Sequence, residues 1–472
     1  MYLGIDLGTG SVKLMLVDGA NQIHTASSPY RVEAPEAGFA ETDPAAWIVA
    51  IRDAVARLPD LTGLKGIGFS GQMHGVVAVD REGAPLMPAI LWADQRGGPY
   101  LGRFDTLPPA MRLRLLNTPV AGMAATTLLW LKHERPALYD RTATILFPKD
   151  YVRLLMTGAI ATDYSDASGS LLYDFETRDW CLGAVDTLGL RTDFLPPIHP
   201  SLSQAGQINA SGARLFGLPE GTPVAVGGGD APVGMYGSGL RSSDEVQISV
   251  GSGAQIFRPI ETDRLPDLNP SLNVFEGIAT HDRYQVAAML NAGIVLEWAR
   301  AIVKSDWHSI YARLNDRHLG QAPSLLFLPY LNGERTPYMS ATPCGAWLGL
   351  SLNDDAFDMM FAALLGVACT IRLGLETLDA AGEIRTIRAV GGSLRHEYWR
   401  RLLASVIGQP LVISERTDIS AFGAVRIASD MLQDTLRLPE DPTTVYQPSP
   451  LPWIENYFSR FKQAYSSLIN LT

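Results

Sequence analysis

One pattern occurs twice in this 472-residue chain and constrains its fold more than any other feature. Leu3–Leu14 reads Leu-Gly-Ile-Asp-Leu-Gly-Thr-Gly-Ser-Val-Lys-Leu, and Val246–Phe257 reads Val-Gln-Ile-Ser-Val-Gly-Ser-Gly-Ala-Gln-Ile-Phe. In each, an apolar strand runs into glycine, a hydroxyl residue and glycine, and a second strand follows. Each copy opens one half of the chain, so the repeat predicts two related units. Glycines let backbone N–H groups approach phosphate oxygens and the hydroxyls donate to them. Two such turns facing one cleft would form a phosphate clamp.

The stretches between the repeats alternate strand and helix, which predicts an α/β fold. Asp43-Pro44 supplies an N-cap and a first-turn proline for a helix whose buried face is Trp47, Ile51, Val55 and Leu58. Leu64–Phe69, Val76–Val79 and Ala143–Phe147 read as strands, and Tyr151–Met156 as a helix stopped by Gly158. The region from Pro439 to Pro452 is expected to be a proline-rich loop before a closing helix, Trp453–Leu468. At 47% hydrophobic and 18% charged residues the chain is globular, and its length exceeds what one core fills.

Composition also excludes partners. A net charge of −11 with no long basic run argues against nucleic acid. Cys181, Cys344 and Cys369 lack metal or disulfide spacing, which fits a reducing cytoplasm. Asp6 and Lys13 interrupt the N-terminal apolar runs, so no signal peptide is expected. The longest apolar stretch, Met359–Ile371, falls short of the ~20 residues of a membrane span and reads as a buried helix.

The chemistry-bearing residues cluster around the turns. In Asp6–Lys13, Gly8, Thr9, Gly10 and Ser11 suit phosphate, Lys13 can neutralise charge, and Asp6 can hold a magnesium ion through water. No Walker A pattern is present. Gly66–Gly71 matches a dinucleotide fingerprint, but a strand and not a helix follows it, so the match is a coincidence. Met73, His74 and Trp92 offer an apolar platform and hydrogen bonds suited to a sugar. Gly227-Gly228-Gly229-Asp230 ends an apolar run at the mouth of a helix. Asp230 is either its N-cap or a carboxylate that takes a hydroxyl proton, and the glycines suggest close approach of an anion. Gly391-Gly392 ends a strand where a purine could lie against bare backbone. Phe327–Pro337 is a strand end and turn whose residues disclose no chemistry.

Taken in order, Asp6–Lys13, Gly71–Gly75, Leu91–Arg96, Pro148–Tyr151, Gly227–Asp230, Phe327–Pro337 and Val390–Trp399 resemble the FGGY carbohydrate kinases, xylulokinases above all, over residues 1–430. The resemblance implies two ribonuclease H-like lobes of the actin/hexokinase/Hsp70 type with a cleft between them. Residues 1–241 would form the lobe with the sugar site, and 242–472 the lobe with the adenine pocket. It implies ATP and Mg²⁺, a sugar as acceptor, Asp230 as catalytic base, and Met73, His74, Trp92 and Asp230 at the sugar. Gly8, Thr9, Gly10, Ser11, Lys13, Gly251, Ser252, Gly253, Gly391 and Gly392 would meet the nucleotide, and Asp6 and Asp230 the metal. The implied protein is cytoplasmic, binds no membrane, and admits a homodimer.

Three departures bear on the acceptor and the turns. Ala231 stands where xylulokinases carry an amide that also meets the sugar. The turns read Gly-Thr-Gly-Ser and Gly-Ser-Gly where the family has Gly-Thr-Ser-Gly and Gly-Thr-Ser, and Gly391–His396 departs from Gly-Gly-Gly-Ala-Arg-Ser. D-Xylulose is the first expectation, with another ketopentose or a polyol as alternative. A non-catalytic sugar-binding regulator or a chaperone-type ATPase is a weaker one.

Overall fold

The computed structural model describes residues 1–261, 265–315, 322–379, 381–416, 418–434, 439 and 441–469. Both copies of the repeated pattern are antiparallel hairpins. Tyr2–Leu7 pairs with Ser11–Val17, and Glu245–Val250 with Ala254–Ile260.

The repeat extends well beyond the turns. Each hairpin lies inside a mixed seven-stranded sheet. In the first sheet, Ile23–Pro29 flanks the hairpin antiparallel on one side, while Gly66–Gly71 and then Pro223–Ala225 add in parallel on the other. In the second sheet Arg283–Met289 takes the antiparallel place, and Thr386–Val390 and Leu411–Ser414 the parallel ones. Numbered within each half, both sheets run 3-2-1-4-5. This is the order of a ribonuclease H-like unit, and it occurs once in each half.

Local signals set the main helices. Asp43 caps Pro44–Val55 by accepting from Ala45 N–H at 2.9 Å, and the helix buries Trp47, Ile51 and Val55 against the first sheet. Pro148–Thr157 ends on Gly158 in the left-handed conformation. Asp355 and Asp358 form a capping box that starts Ala356–Leu378. This helix contains the Met359–Ile371 stretch. It is long and apolar enough by composition to cross a membrane, but its middle lies inside the second core. Cys181, Cys344 and Cys369 are free and buried.

The Pro439–Pro452 region holds more structure than a loop. Thr443–Tyr446 pairs with Leu411–Ser414 as an edge strand, because two threonines, a valine and a tyrosine between prolines suit an edge. The closing helix runs from Ile454 to Leu468.

One helix crosses between the halves. Leu411–Ser414 belongs to the second sheet, yet the next helix, Ile419–Met431, lies on the first. It fits because the strands beneath it lack side chains at the contact. A Cβ on Gly4 would lie 2.2 Å from Ala421 O, and one on Gly68 would lie 1.9 Å from Ala424 O. A Cβ on Gly423, in the helix itself, would lie 2.0 Å from Val233 O. Gly66 and Gly68 of the dinucleotide-like pattern are therefore a floor for a helix, and Gly71 packs on Lys149.

Gly68→Ala should lower stability by about 2–3 kcal/mol or more, since backbone blocks the added methyl. Gly102→Ala, where a Cβ meets nothing within 4 Å, should change it by less than about 0.5 kcal/mol. Urea unfolding of both variants measures the contrast.

Candidate active site

The first glycine turn is braced from behind and open in front. Gly8 N–H donates to Ser11 O at 3.1 Å, and the Tyr30 hydroxyl and Gln72 Nε2 both donate to Gly8 O. Among the described residues, the N–H groups of Thr9 and Gly10 have no partner. Asp6, at the end of the preceding strand, is buried and accepts from Ser70 Oγ at 2.7 Å. Burial raises its pKa against the opposing pull of Ser70 and Lys13. Lys13 Nζ lies 2.9 Å from Asp418 Oδ1. Burial works against the lysine's charge, but Asp418 outweighs it and raises the pKa. Sequence reasoning missed Asp418, because only the crossing helix brings residue 418 to the first turn.

Asp230 is the first residue of the helix Asp230–Ser238, with Gly229 in the N-cap position, so the N-cap reading does not hold. Its Oδ1 accepts from Ala231 N–H at 2.8 Å. The carboxyl group is reachable from solvent, yet its pKa is pushed up to about 7, first by desolvation and then by the charge of Asp6. The glycines before it serve packing and not the approach of an anion. A Cβ on Gly227 would lie 2.6 Å from Phe69 O, one on Gly228 2.3 Å from Ile278 Cδ1, and one on Gly229 2.5 Å from Met73 Cγ.

A buried ion network anchors this loop. Lys149 Nζ lies 2.6, 2.7 and 2.9 Å from carboxylate oxygens of Asp150, Asp163 and Asp166, all fully buried. Burial opposes the lysine's charge, and the three acids outweigh it. Arg153 Nη1 donates to Asp150 at 2.8 Å and to Val226 O at 2.6 Å. The Ser165 hydroxyl donates to Asp163 and accepts from Gly229 N–H at 2.9 Å. The bonds to Val226 O and from Gly229 N–H reach the residues just before Asp230. Pro148–Tyr151 thus has a role that its sequence alone did not disclose.

Of the residues expected at a sugar, Trp92 meets the first turn directly. Trp92 Nε1 donates to Thr9 Oγ1 at 2.9 Å, and the indole is 43% exposed, enough to form a wall. His74 holds a φ of +70°, and its Nδ1 lies 2.9 Å from Gly169 O. Burial pushes its pKa down to about 4, the Gly169 carbonyl opposes this, and the Arg335 charge adds to it. The ring is therefore neutral, with Nδ1–H donated to Gly169 and Nε2 left as an acceptor. His74 and Trp92 line a cavity completed by Asn273, Phe275 and Arg335 from the second half; sequence reasoning passed over the first two and gave Arg335, within Phe327–Pro337, no role. Met73 packs beneath it on Gly229. Ala231 packs against the apolar cluster of Met73, Phe275, Tyr284 and Val286.

The second turn borders a larger cavity of about 810 Å³. Gly251 N–H donates to Gly253 O at 2.8 Å, and Gly251 O accepts from Gly293 N–H and Ser393 Oγ, both at 3.0 Å. Gly251, Ser252, Gly293 and Gly392 form one side of the cavity. Gly391 supports it from behind: its φ is +121°, and a Cβ there would lie 2.3 Å from Val250 O. The opposite side is aromatic. Tyr311 stacks on His396 with centroids 3.6 Å apart and on Trp307 at 5.3 Å. The expected bare-backbone surface thus faces an aromatic wall that spacing alone did not reveal. Among the described residues, no group of three or more His, Cys, Asp or Glu could hold a metal.

Two family models cover most of the chain. The N-terminal domain of the FGGY family of carbohydrate kinases matches residues 1–237, and its C-terminal domain matches 247–430. The chain belongs to the FGGY family of carbohydrate kinases. It is a sugar kinase with ATP as co-substrate. A xylulose kinase from Escherichia coli is 31% identical over 435 residues, covering 91% of this chain and 89% of that protein. A gluconokinase from Bacillus licheniformis is 28% identical, over 89% and 86%. The crystal structure of a xyloylose (xylulose) kinase from Brucella ovis superposes with a TM-score of 0.92 at 32% identity, with both chains fully covered.

Ser165→Ala removes the link between the buried network and Gly229 while leaving every charged group in place. Turnover of this FGGY kinase should fall about tenfold, as expected for one buried hydrogen bond, with a Michaelis constant for ATP within about twofold of the parent. Steady-state kinetics on protein matched for folded fraction by calorimetry measures this.

Proposed function

We propose that the chain transfers the γ-phosphate of ATP to a hydroxyl group of D-xylulose, giving D-xylulose 5-phosphate. The observation that carries this reading is the meeting of three things in one place. These are an open glycine turn, a platform of Met73, His74 and Trp92, and a carboxyl group, Asp230, with a pKa near 7. A base tuned to working pH is present as carboxylate and still takes up a proton when the hydroxyl attacks. Most of the catalysis is positioning. Unpaired N–H groups at Thr9 and Gly10 and the Gly251–Gly253 turn would hold the phosphates. Gly391 and Gly392 would shape the adenine side, and residues 1–241 and 242–472 would act as the two lobes.

Mg²⁺ would accompany the nucleotide and neutralise phosphate charge. Asp6 and Asp230 fit it, because they are two acids whose mutual repulsion a divalent cation would relieve. Lys13 would contribute charge from its pairing with Asp418. The choice of D-xylulose is supported by the E. coli and Brucella relatives. Ala231, which puts a methyl group where an amide is expected, favours a second reading in which another ketopentose, a polyol or a sugar acid is the better acceptor.

Two measurements test Asp230. Asp230→Asn should reduce turnover by roughly 10²- to 10⁴-fold with a small effect on sugar affinity. In the parent enzyme, a base with a raised pKa is protonated and idle at low pH. kcat/KM for sugar should therefore rise about tenfold per pH unit up to a bend near pH 7 and stay level above it. A flat profile between pH 5 and 8 would remove Asp230 from the role of base.

A further inference from the structure

The turn after strand Leu326–Leu328 is built to release one side chain. Glu334, 1% exposed, spends its carboxylate on Leu290 N–H at 2.6 Å, Arg335 N–H at 2.9 Å and Asn291 Nδ2 at 3.0 Å. Thr336 is pinned as firmly. Its N–H donates to Ala288 O at 2.9 Å, and its hydroxyl donates to Ser271 O at 2.6 Å and accepts from Ala288 N–H at 3.0 Å. Between these anchors the Arg335 side chain extends to the cavity of His74 and Trp92. Among the described residues nothing accepts a hydrogen bond from its guanidinium. A guanidinium carries five donors in a rigid planar fork, and this half-buried one has them free for a ligand in the cavity. The acid next to it in sequence is already spent on backbone.

Arg335 shares the wall of this cavity with His74 and Trp92, and its charge acts on His74. Asp230, the carboxyl group that would face the reacting hydroxyl, is not among the residues that line it. His74 presents a lone pair beside it, and Phe275, Val286 and Ala288 line apolar walls.

We propose that Arg335 is a specificity-determining residue that binds the acceptor from the second half of the molecule, gripping two oxygen atoms at the end remote from the hydroxyl that is phosphorylated. The acceptor class is an open-chain polyhydroxy compound whose far end offers two oxygens to one fork: the hydroxyketone of a ketose or the carboxylate of an aldonic acid. This rests on the sugar-kinase reading and adds to it which end of the sugar is read. The fork also adds a charged grip from the second half, which otherwise brings Gln255 and Asn273 to the cavity.

The test is steady-state kinetics of the parent, Arg335→Lys and Arg335→Met with D-xylulose, 1-deoxy-D-xylulose and D-gluconate as acceptors. For the better of the two full acceptors, Arg335→Met should raise KM about 10- to 100-fold, the effect of a charge-assisted pair of hydrogen bonds, with kcat and the KM for ATP within about threefold. Arg335→Lys keeps the charge but not the fork and should recover only part of the loss. The parent should discriminate against 1-deoxy-D-xylulose, and both variants should lose that discrimination. If D-gluconate is preferred, the second oxygen is that of a carboxylate; if D-xylulose is preferred, it is a hydroxyl. KM values unchanged in both variants, or a fall in kcat with KM intact, would overturn the proposal. Should Arg335→Met not fold, the lysine variant and the parent's discrimination decide the matter. A parent enzyme that forms no acceptor-dependent ADP with any sugar overturns the kinase reading itself, a result distinct from the others.

Discussion

The arrangement of this molecule depends on backbone packed against backbone. Helix Ile419–Met431 can lie on the first sheet because Gly4 and Gly68 present no side chain, and Gly423 returns the accommodation toward Val233. Contacts this close leave no room for even a methyl group, so they fix position more sharply than interdigitated side chains. Three features of the site follow. The helix carries Asp418 to Lys13, brings Ser420 Oγ to Asp230 O at 3.1 Å, and ties the second half to the sheet that bears the first glycine turn.

The electrostatics of the cleft divide into a settled part and a poised part. Behind the Asp230 loop, Lys149 and Arg153 are paired with buried acids and sealed from solvent. In front of it, the groups are held away from their ordinary states. Asp230 sits near neutrality, His74 is kept uncharged, and Arg335 is half-buried with no acceptor among the described residues. Perturbed groups gathered at one cleft, with buried ion pairs behind them, are what a site for charge-transfer chemistry requires. The rigid network supports the groups that must change protonation or take a ligand.

What the sequence disclosed was local. The hairpins, the Asp43 cap and the Gly158 stop follow from residues adjacent in the chain, and the repeated turn already implied two related halves. Contacts between distant segments were hidden. Gly66 and Gly68 looked like parts of a failed nucleotide motif because the helix that needs them lies more than 300 residues on. The three glycines before Asp230 suggested an approaching anion, whereas Phe69, Ile278 and Met73 fill that space. Arg335, Asn273 and Phe275 carry no local signal, since they matter only through a cavity shared between the halves. Thr443–Tyr446 was masked by its prolines, although its own residues favour a strand.

The crossing helix also has a consequence in time. During synthesis the first sheet can form once Pro223–Ala225 has emerged, but its glycine-lined face then lacks the cover it will have in the finished protein. That cover starts at Ile419, 194 residues beyond Ala225. At the usual ribosomal rate of 5–20 residues per second this is a wait of roughly 10–40 s. For that interval the nascent first half is an open sandwich, with Tyr2, Met15, Val17 and the glycine backbone between them uncovered on one side. Its safe passage depends on whatever occupies that face in the meantime, so the rate of translation through the second half becomes a variable in the yield of folded enzyme.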